Sequence, residues 1–267
     1  MKAILTFFFF SISTLLFSQH RFVYQLKFKI DSTDKTNIQT ENFNLDIKDN
    51  ASFFYSTSYA EYDSLTTANK ISGITTQIKI EPKLDFLIKK NYITKEIVFN
   101  ELLGMDNFQV IEPRKMKWEI SQDFKTLDNY KVQKAETTFA GRTWICWFAQ
   151  DIPFSDGPYK FSGLPGLIVE AYDSKEDFHF TLIQIVIPQK TFISQFYTNF
   201  GIRTIDVSYD EYIKKKKQID ADPTIFLKQM PGLDKISSSD LLEIQKDFVS
   251  SYRNKQKLRN NKIELSD

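Results

Sequence analysis

Two histidines and one cysteine are all that this sequence of 267 residues offers for imidazole or thiolate chemistry. His20 stands close to the N-terminus, and His179 lies between Phe178 and Phe180. In a strand His179 projects opposite to both phenylalanines, which suits a surface or packed residue better than a general base. Cys146 sits in the run Trp144-Ile145-Cys146-Trp147. A cysteine in an apolar strand behaves as a small buried hydrophobe, and no flanking signature pairs it with a histidine as a nucleophile. No residue is therefore assigned as catalytic.

Metal and cofactor chemistry is equally thin. The sequence has no His-x-x-x-His, no Cys-x-x-Cys, no Asp-rich calcium loop and no Gly-rich phosphate loop. Asp220-Ala221-Asp222-Pro223 brings two carboxylates close but reads as a helix exit followed by a proline stop. No metal and no cofactor is assigned. The 34 Asp and Glu residues leave room for carboxylate pairs, so a hydrolase using unidentified carboxylates stands as the alternative function.

Aromatic residues are the richer signal, with 25 Phe, 12 Tyr and 3 Trp. Trp144 and Trp147 have odd spacing, so in one strand they face opposite sides, and one of them can line the concave side of a curved sheet. Tyr159 and Phe161 follow in the next loop. These four residues are the candidate binding set, although aromatic stripes also build cores. They favour a non-enzymatic binding or accessory protein whose partner is an apolar ligand, a peptide segment or an outer-membrane protein. Lys+Arg number 35 against 34 acidic residues, a balance that gives no electrostatic reason to expect nucleic acid.

The elements that must position these residues are mostly strands. Phe22, Tyr24, Leu26, Phe28 and Ile30 alternate with Arg21, Gln25, Lys27 and Lys29, the period of a half-buried strand. Phe43, Leu45 and Ile47 repeat it, and Ser52–Thr57, Asp85–Lys90, Tyr92–Phe99, Phe108–Glu112 and Lys115–Ile120 read as further strands. Residues 58–71 have no clear period. Tyr130–Phe139 and Arg142–Phe148 read as a hairpin about Ala140-Gly141, and Leu167–Tyr172 with Phe178–Ile187 as a second. After Pro188 the pattern turns helical. Ser208 with Glu211 resembles a capping box, Lys214–Lys217 face water, and Leu241, Ile244, Phe248 and Tyr252 make a narrow stripe on a helix from Ser237 to about Leu258. The expected fold is mainly β with C-terminal α-helices: a strongly curved antiparallel sheet or incomplete β-barrel over residues 19–190, with a helical part over 191–267 packed on the same domain.

Residues 1–18 read as a signal peptide. Met1-Lys2 opens it, an uncharged apolar run follows to Phe17, and Ser18 offers a small residue for cleavage. The run is too short for a comfortable membrane span. Cys146 is the single cysteine, so a lipoprotein signal, which needs a cysteine at the cleavage point, is excluded. Removal of Lys2 with the leader leaves 34 charges of each sign.

Gly163-Leu164-Pro165-Gly166-Leu167-Ile168 spells a six-residue motif. Upstream stand Trp118, Tyr130, Lys134-Ala135, Phe139, Gly141-Arg142, Trp144, Trp147, Ile152-Pro153, Gly157-Pro158 and Phe161. Together, over roughly residues 118–187, they resemble the GLPGLI family of exported bacterial proteins, which has no established activity. The resemblance implies compartment and fold rather than a reaction. The family pattern also carries a cysteine two residues after the tyrosine; Val132 stands there, so nothing that rests on that cysteine transfers. Physically, Pro165 followed by Gly166 is the signature of a type II turn over Leu164–Leu167, with Gly166 at positive φ. The other reading is a functional loop from Asp151 to Pro165 at the mouth of a cleft.

Cleavage after Ser18 predicts Gln19 as the first residue of the mature chain. Mass spectrometry of protein purified from the cell envelope checks this; an intact Met1 or Lys2 refutes it.

Overall fold

The computed structural model describes residues 19–73, 78–80, 82–84, 86–103, 106–188, 192–199, 201–225, 227 and 237–265. The leader therefore lies outside the described residues, as does Asp85. Twelve strands form one sheet: β1 (His20–Lys29), β2 (Ile38–Lys48), β3 (Ala51–Ser56), β4 (Leu87–Asn91), β5 (Ile97–Leu103), β6 (Asp106–Ile111), β7 (Glu119–Leu127), β8 (Tyr130–Phe139), β9 (Arg142–Ala149), β10 (Leu167–Asp173), β11 (Phe178–Val186) and β12 (Arg203–Val207). Among the described residues four α-helices accompany them, α1 (Thr57–Ser72), α2 (Phe196–Asn199), α3 (Tyr209–Ala221) and α4 (Ser238–Leu258), with a 3₁₀ turn at Pro223–Ile225. Among the described residues no helix is long and apolar enough to cross a membrane.

The strand order is β12-β6-β5-β4-β3-β2-β1-β11-β10-β9-β8-β7. The chain thus starts at the centre, meanders outward to β6, and crosses to the far edge at β7. It then meanders back until β11 lies against the other side of β1, Phe28 opposite Phe178. The sheet is mainly β as expected, but it is mixed and open. β12 pairs with β6 in parallel, Arg203 opposite Asp106. Strand alternation alone predicts an antiparallel sheet; the parallel pair arises because the chain returns from β11 to the β6 edge through α2 instead of through a tight turn. It also places a strand inside the C-terminal part that had looked helical.

Alternation delivers the core. Phe22, Tyr24, Leu26 and Phe28 of β1 are buried, as are Phe43, Leu45 and Ile47 of β2. The β8–β9 hairpin turns at Ala140 and Gly141, whose φ values of 50° and 77° match the type I′ form that suits right-twisted strands. Residues 58–71 belong to α1, capped by the Ser56 hydroxyl, which accepts the Tyr59 N–H, and ended at Gly73 with φ 68°. The strand expected at Lys115–Ile120 lies at Glu119–Leu127 instead. Residues 112–118 are the crossing link: Trp118 donates its indole N–H to the Ser162 carbonyl at 2.8 Å, and Met116 packs on the core.

Helix α3 carries the full capping box, Ser208 accepting from Glu211 and Glu211 from Ser208. Of the lysines expected to face water, Lys214 and Lys217 are exposed, whereas Lys216 turns back to Glu101 at 2.7 Å. In α4 no residue is fully buried; Leu241, Phe248 and Tyr252 are half-buried and Ile244 is 39% exposed.

The motif turn differs in type from the expectation. Gly166 donates to the Leu164 carbonyl at 2.9 Å, while Leu167 donates to the Ile152 carbonyl at 3.1 Å. The bond from residue i+3 that defines a closed type II turn is thus diverted to Ile152, leaving a three-residue turn centred on Pro165. Gly166 still has positive φ, 152°, and a Cβ there would sit 2.2 Å from the Ala149 carbonyl oxygen. Backbone cannot yield as a side chain tip does, so Gly166→Ala must push the turn off the end of β9. The expected loss is about 2 kcal/mol, read as a thermal midpoint lower by roughly 4–8 °C. An unchanged midpoint refutes this packing.

Candidate functional site: an aromatic pocket beside a buried ionic loop

The loop between β9 and β10 has few exposed residues and holds itself together internally. Asp156 and Ser162 form an isolated β-bridge, Gly163 donates to the Ser155 carbonyl at 3.2 Å, and Ile168 donates to the Asp156 carbonyl at 2.9 Å. Gly157 packs so closely that an added Cβ would stand 2.7 Å from the Ile168 Cβ. Residues from the N-terminal half of the sheet hold this loop. Lys90 of β4 donates to the Gly157 carbonyl at 2.7 Å and the Phe161 carbonyl at 3.1 Å, and pairs with Asp156. Tyr92 donates to Asp156 at 2.6 Å. From β1, Tyr24 donates to the Ile168 carbonyl at 2.7 Å. Burial pushes the Lys90 pKa down and the Tyr24 pKa up.

A second ionic centre follows at Lys160. Its ammonium lies 2.7 Å from Glu112 and 2.6 Å from Glu264, over the Phe99 ring at 3.8 Å. Arg114 joins both carboxylates, at 2.7 and 2.8 Å, and Tyr159 donates to Glu264. Burial alone would raise the Glu264 pKa; the Lys160 and Arg114 charges overcome it and hold the carboxyl at about 2. Glu112 is lowered by the same contest, burial raising it and Arg114 and Lys160 prevailing.

Beside this centre, between the sheet and helices α3 and α4, lies a pocket of about 570 Å³, well within the size range of small-molecule sites. Its apolar wall includes Phe28, Phe86, Ile88, Phe99, Phe178 and Leu227. Helix α3 contributes Tyr212 and Lys216, helix α4 Phe248, Tyr252 and Lys255, and the C-terminal tail Ile263 and Glu264. The pocket carboxylates are already engaged: Glu101 by Tyr212 and Lys216, Asp220 by the Tyr252 hydroxyl at 2.7 Å, and Glu264 as above.

The candidate binding residues are distributed unevenly around these features. Tyr159 lines the pocket and holds the left-handed φ of 54°, a conformation that costs energy for a bulky residue. Phe161 is fully buried, edge-on to Trp144 at 4.7 Å and to Trp118 at 6.3 Å. Trp144 is buried with it, whereas Trp147 lies half-buried on the opposite face, with Lys125 above its ring at 4.2 Å. Of the motif, Leu164, Leu167 and Ile168 are core residues. His179 meets Glu170 at 2.9 Å on the outer face. Cys146 is free and buried, and burial raises its thiol pKa well above the usual value. The pocket residues of α3, α4 and β5 escaped the sequence reading, although the Phe248–Tyr252 stripe and the Tyr212 face were visible there.

This arrangement is that of a mainly β protein with a helix-covered pocket. The sequence model of a family described as a protein of unknown function (Porph_ging) matches residues 140–170, a span that contains the whole six-residue motif. No curated protein matches the chain. Among solved structures, the fold is similar to PNGF-II in space group P21, with TM-score 0.51 and 11% identity over 74% of this chain, and to PNGF-II in space group C2, with TM-score 0.52 and 12% identity over 74%. The chain spans about a third of the PNGF-II length, 33% and 32% respectively. At that identity the likeness is one of fold.

Glu264 sets a pH dependence. Its folded pKa of about 2 lies below the ordinary glutamate value of about 4.3, so the unfolded chain binds the proton first as pH falls. The contribution, of order 2–3 kcal/mol, is complete above the unfolded value and disappears as pH drops toward 2. Denaturant melts of the wild type and Glu264→Gln from pH 6 to pH 2 are expected to converge at the acid end. A stability gap independent of pH refutes the assignment.

Proposed function

We propose that this chain is an exported protein of the GLPGLI type and serves as a non-enzymatic binding protein of the cell envelope, taking an apolar ligand into the pocket under α3 and α4. The observation that carries this reading is the pocket itself: about 570 Å³, walled by Phe28, Phe86, Ile88, Phe99 and Phe178. Contiguous apolar surface left open on a folded protein usually marks a binding site. The second reading, carboxylate hydrolysis, loses ground because Glu101, Asp220 and Glu264 are each held by tyrosines or cations. Residues 1–18 are read as a leader that is removed, leaving a periplasmic or outer-membrane-associated protein.

The reading includes a strong curl of the sheet, and chain length supports it. Strands β6 and β7 stand ten steps apart in the order. At about 4.8 Å per step, a flat sheet would separate them by about 48 Å. The link from Ile111 to Glu119 reaches at most about 29 Å when fully extended. That shortfall supports a reading in which the β6 and β7 ends of the sheet approach one another around the β9–β10 loop. A twisted sheet of this size curls readily, and its concave side supplies the pocket wall.

Native-state titration with an apolar fluorescent probe tests the function. The wild type is expected to bind with micromolar affinity, and Phe248→Glu and Leu102→Glu, which put charge into the pocket, are expected to weaken binding at least tenfold while thermal midpoints hold. Absence of probe binding by the folded wild type overturns the proposal.

A further inference from the structure

The pocket has a polar end, and its charge is one-sided. Five cations, Lys160, Lys216, Lys255, Arg259 and Lys262, stand on the lining against three carboxylates, Glu101, Asp220 and Glu264. Lys160 and Lys216 are the cations already paired with those carboxylates. The remaining cations, Lys255, Arg259 and Lys262, have no carboxylate partner among the described residues. Lys255 and Lys262 are exposed and Arg259 is half-buried, so all are reachable from the pocket mouth.

Their positions along the chain give the pocket a direction. On α4, Phe248, Tyr252 and Lys255 follow one another at intervals of four and three, which places them on one face, and the C-cap residue Arg259 stands on the same pocket lining just beyond the helix end. The face is therefore aromatic first and cationic at its C-terminal end, where Lys262 joins from the tail. A ligand lying along it meets apolar surface over its body and positive charge at one tip. Long basic side chains reach such a tip while their stems stay against apolar surface.

Resting on the proposed binding function, we infer that the pocket takes a single-chain amphipathic anion: an apolar body in the aromatic pocket and a carboxylate or phosphate head at Lys255, Arg259 and Lys262. A cationic or neutral head would leave those charges uncompensated. An apolar peptide would bring backbone amides against the phenylalanine wall without partners, which is costly.

Displacement of the apolar probe by dodecanoate, dodecanol and dodecylamine, each below its micelle concentration, tests this, with an acetylated and amidated apolar hexapeptide as a fourth competitor. Dodecanoate is expected to compete at least tenfold more strongly than dodecanol, with dodecylamine weakest, and the gap is expected to shrink as salt rises. In a Lys255→Glu/Arg259→Glu double variant with an unchanged thermal midpoint, dodecanoate is expected to lose that advantage. Equal competition by the acid and the alcohol, stronger competition by the amine, or stronger competition by the peptide overturns this inference and leaves the pocket reading standing. If the wild type binds neither the probe nor any competitor, both fail together.

Discussion

A backbone segment that turns back through the interior of a sheet must satisfy its polar groups there, because no water reaches them. One buried lysine meets that demand here, and a second anchors the loop to its surroundings. Lys90 reaches from β4 into the β9–β10 loop, bonds the Gly157 and Phe161 carbonyls, and meets Asp156 of the same loop. Lys160 reaches outward from the loop to Glu112 and Glu264. Removing one partner of such a buried pair typically costs about 3–5 kcal/mol, since the other is left charged and unpaired. The loop is thus fixed by buried charges, each of which depends on its partner. Its fixed position then sets Phe161 against Trp144, Tyr159 against Glu264, and Gly157 against Ile168.

The C-terminal tail depends on the same chemistry. Arg142, at the start of β9, pairs with Asp173 at 2.7 Å, bonds Asn261 at 2.6 Å, and also bonds the carbonyls of Lys262 and Ile263. Asn261 donates its backbone N–H to Ile30 at 3.1 Å, and Leu265 donates to Ala140 at 2.9 Å. Glu264 then enters the Lys160 centre. Residues 261–265 are therefore tied to β1, to the β8–β9 turn and to the loop at once. Ile263 and Glu264, which line the pocket, are held by these bonds instead of by the helix that precedes them.

The sequence reveals what depends on local periodicity and little else. Alternation in β1 and β2, the Ala140-Gly141 hairpin, the Ser208–Glu211 cap and the extent of α4 are all legible because each rests on residues within a few positions of one another. Helix α1 is not, since its face carries only Tyr59, Asp63 and Thr66 into the core, too polar a set to show a period. The displaced β7 and the parallel β12 are set by partners far along the chain. The ionic centres are hidden for the same reason: Lys90 in a strand and Lys160 in a loop look like solvent-facing lysines until Asp156, Glu112 and Glu264 are brought to them. The aromatic candidates all lie in one stretch of chain, and that stretch folds mostly into core.

Core and pocket are built here from the same residue types, so the difference between them lies in what covers them. Around Phe161, cover comes from both sides, with Trp144 and Trp118 meeting it edge-on and Leu164 buried beside it. Around Phe86 and Phe99 the opposite wall is α3 and α4. Helix α3 buries Tyr212 and Ile219, but α4 has no fully buried residue along its whole length. A stripe of Leu241, Phe248 and Tyr252, at intervals of seven and four, is narrower than the apolar face a sheet-covering helix usually presents. The sheet offers more apolar width than this helix can cover. The remaining width stays open as the pocket, and the cations of α4 and the tail stand where that opening meets solvent.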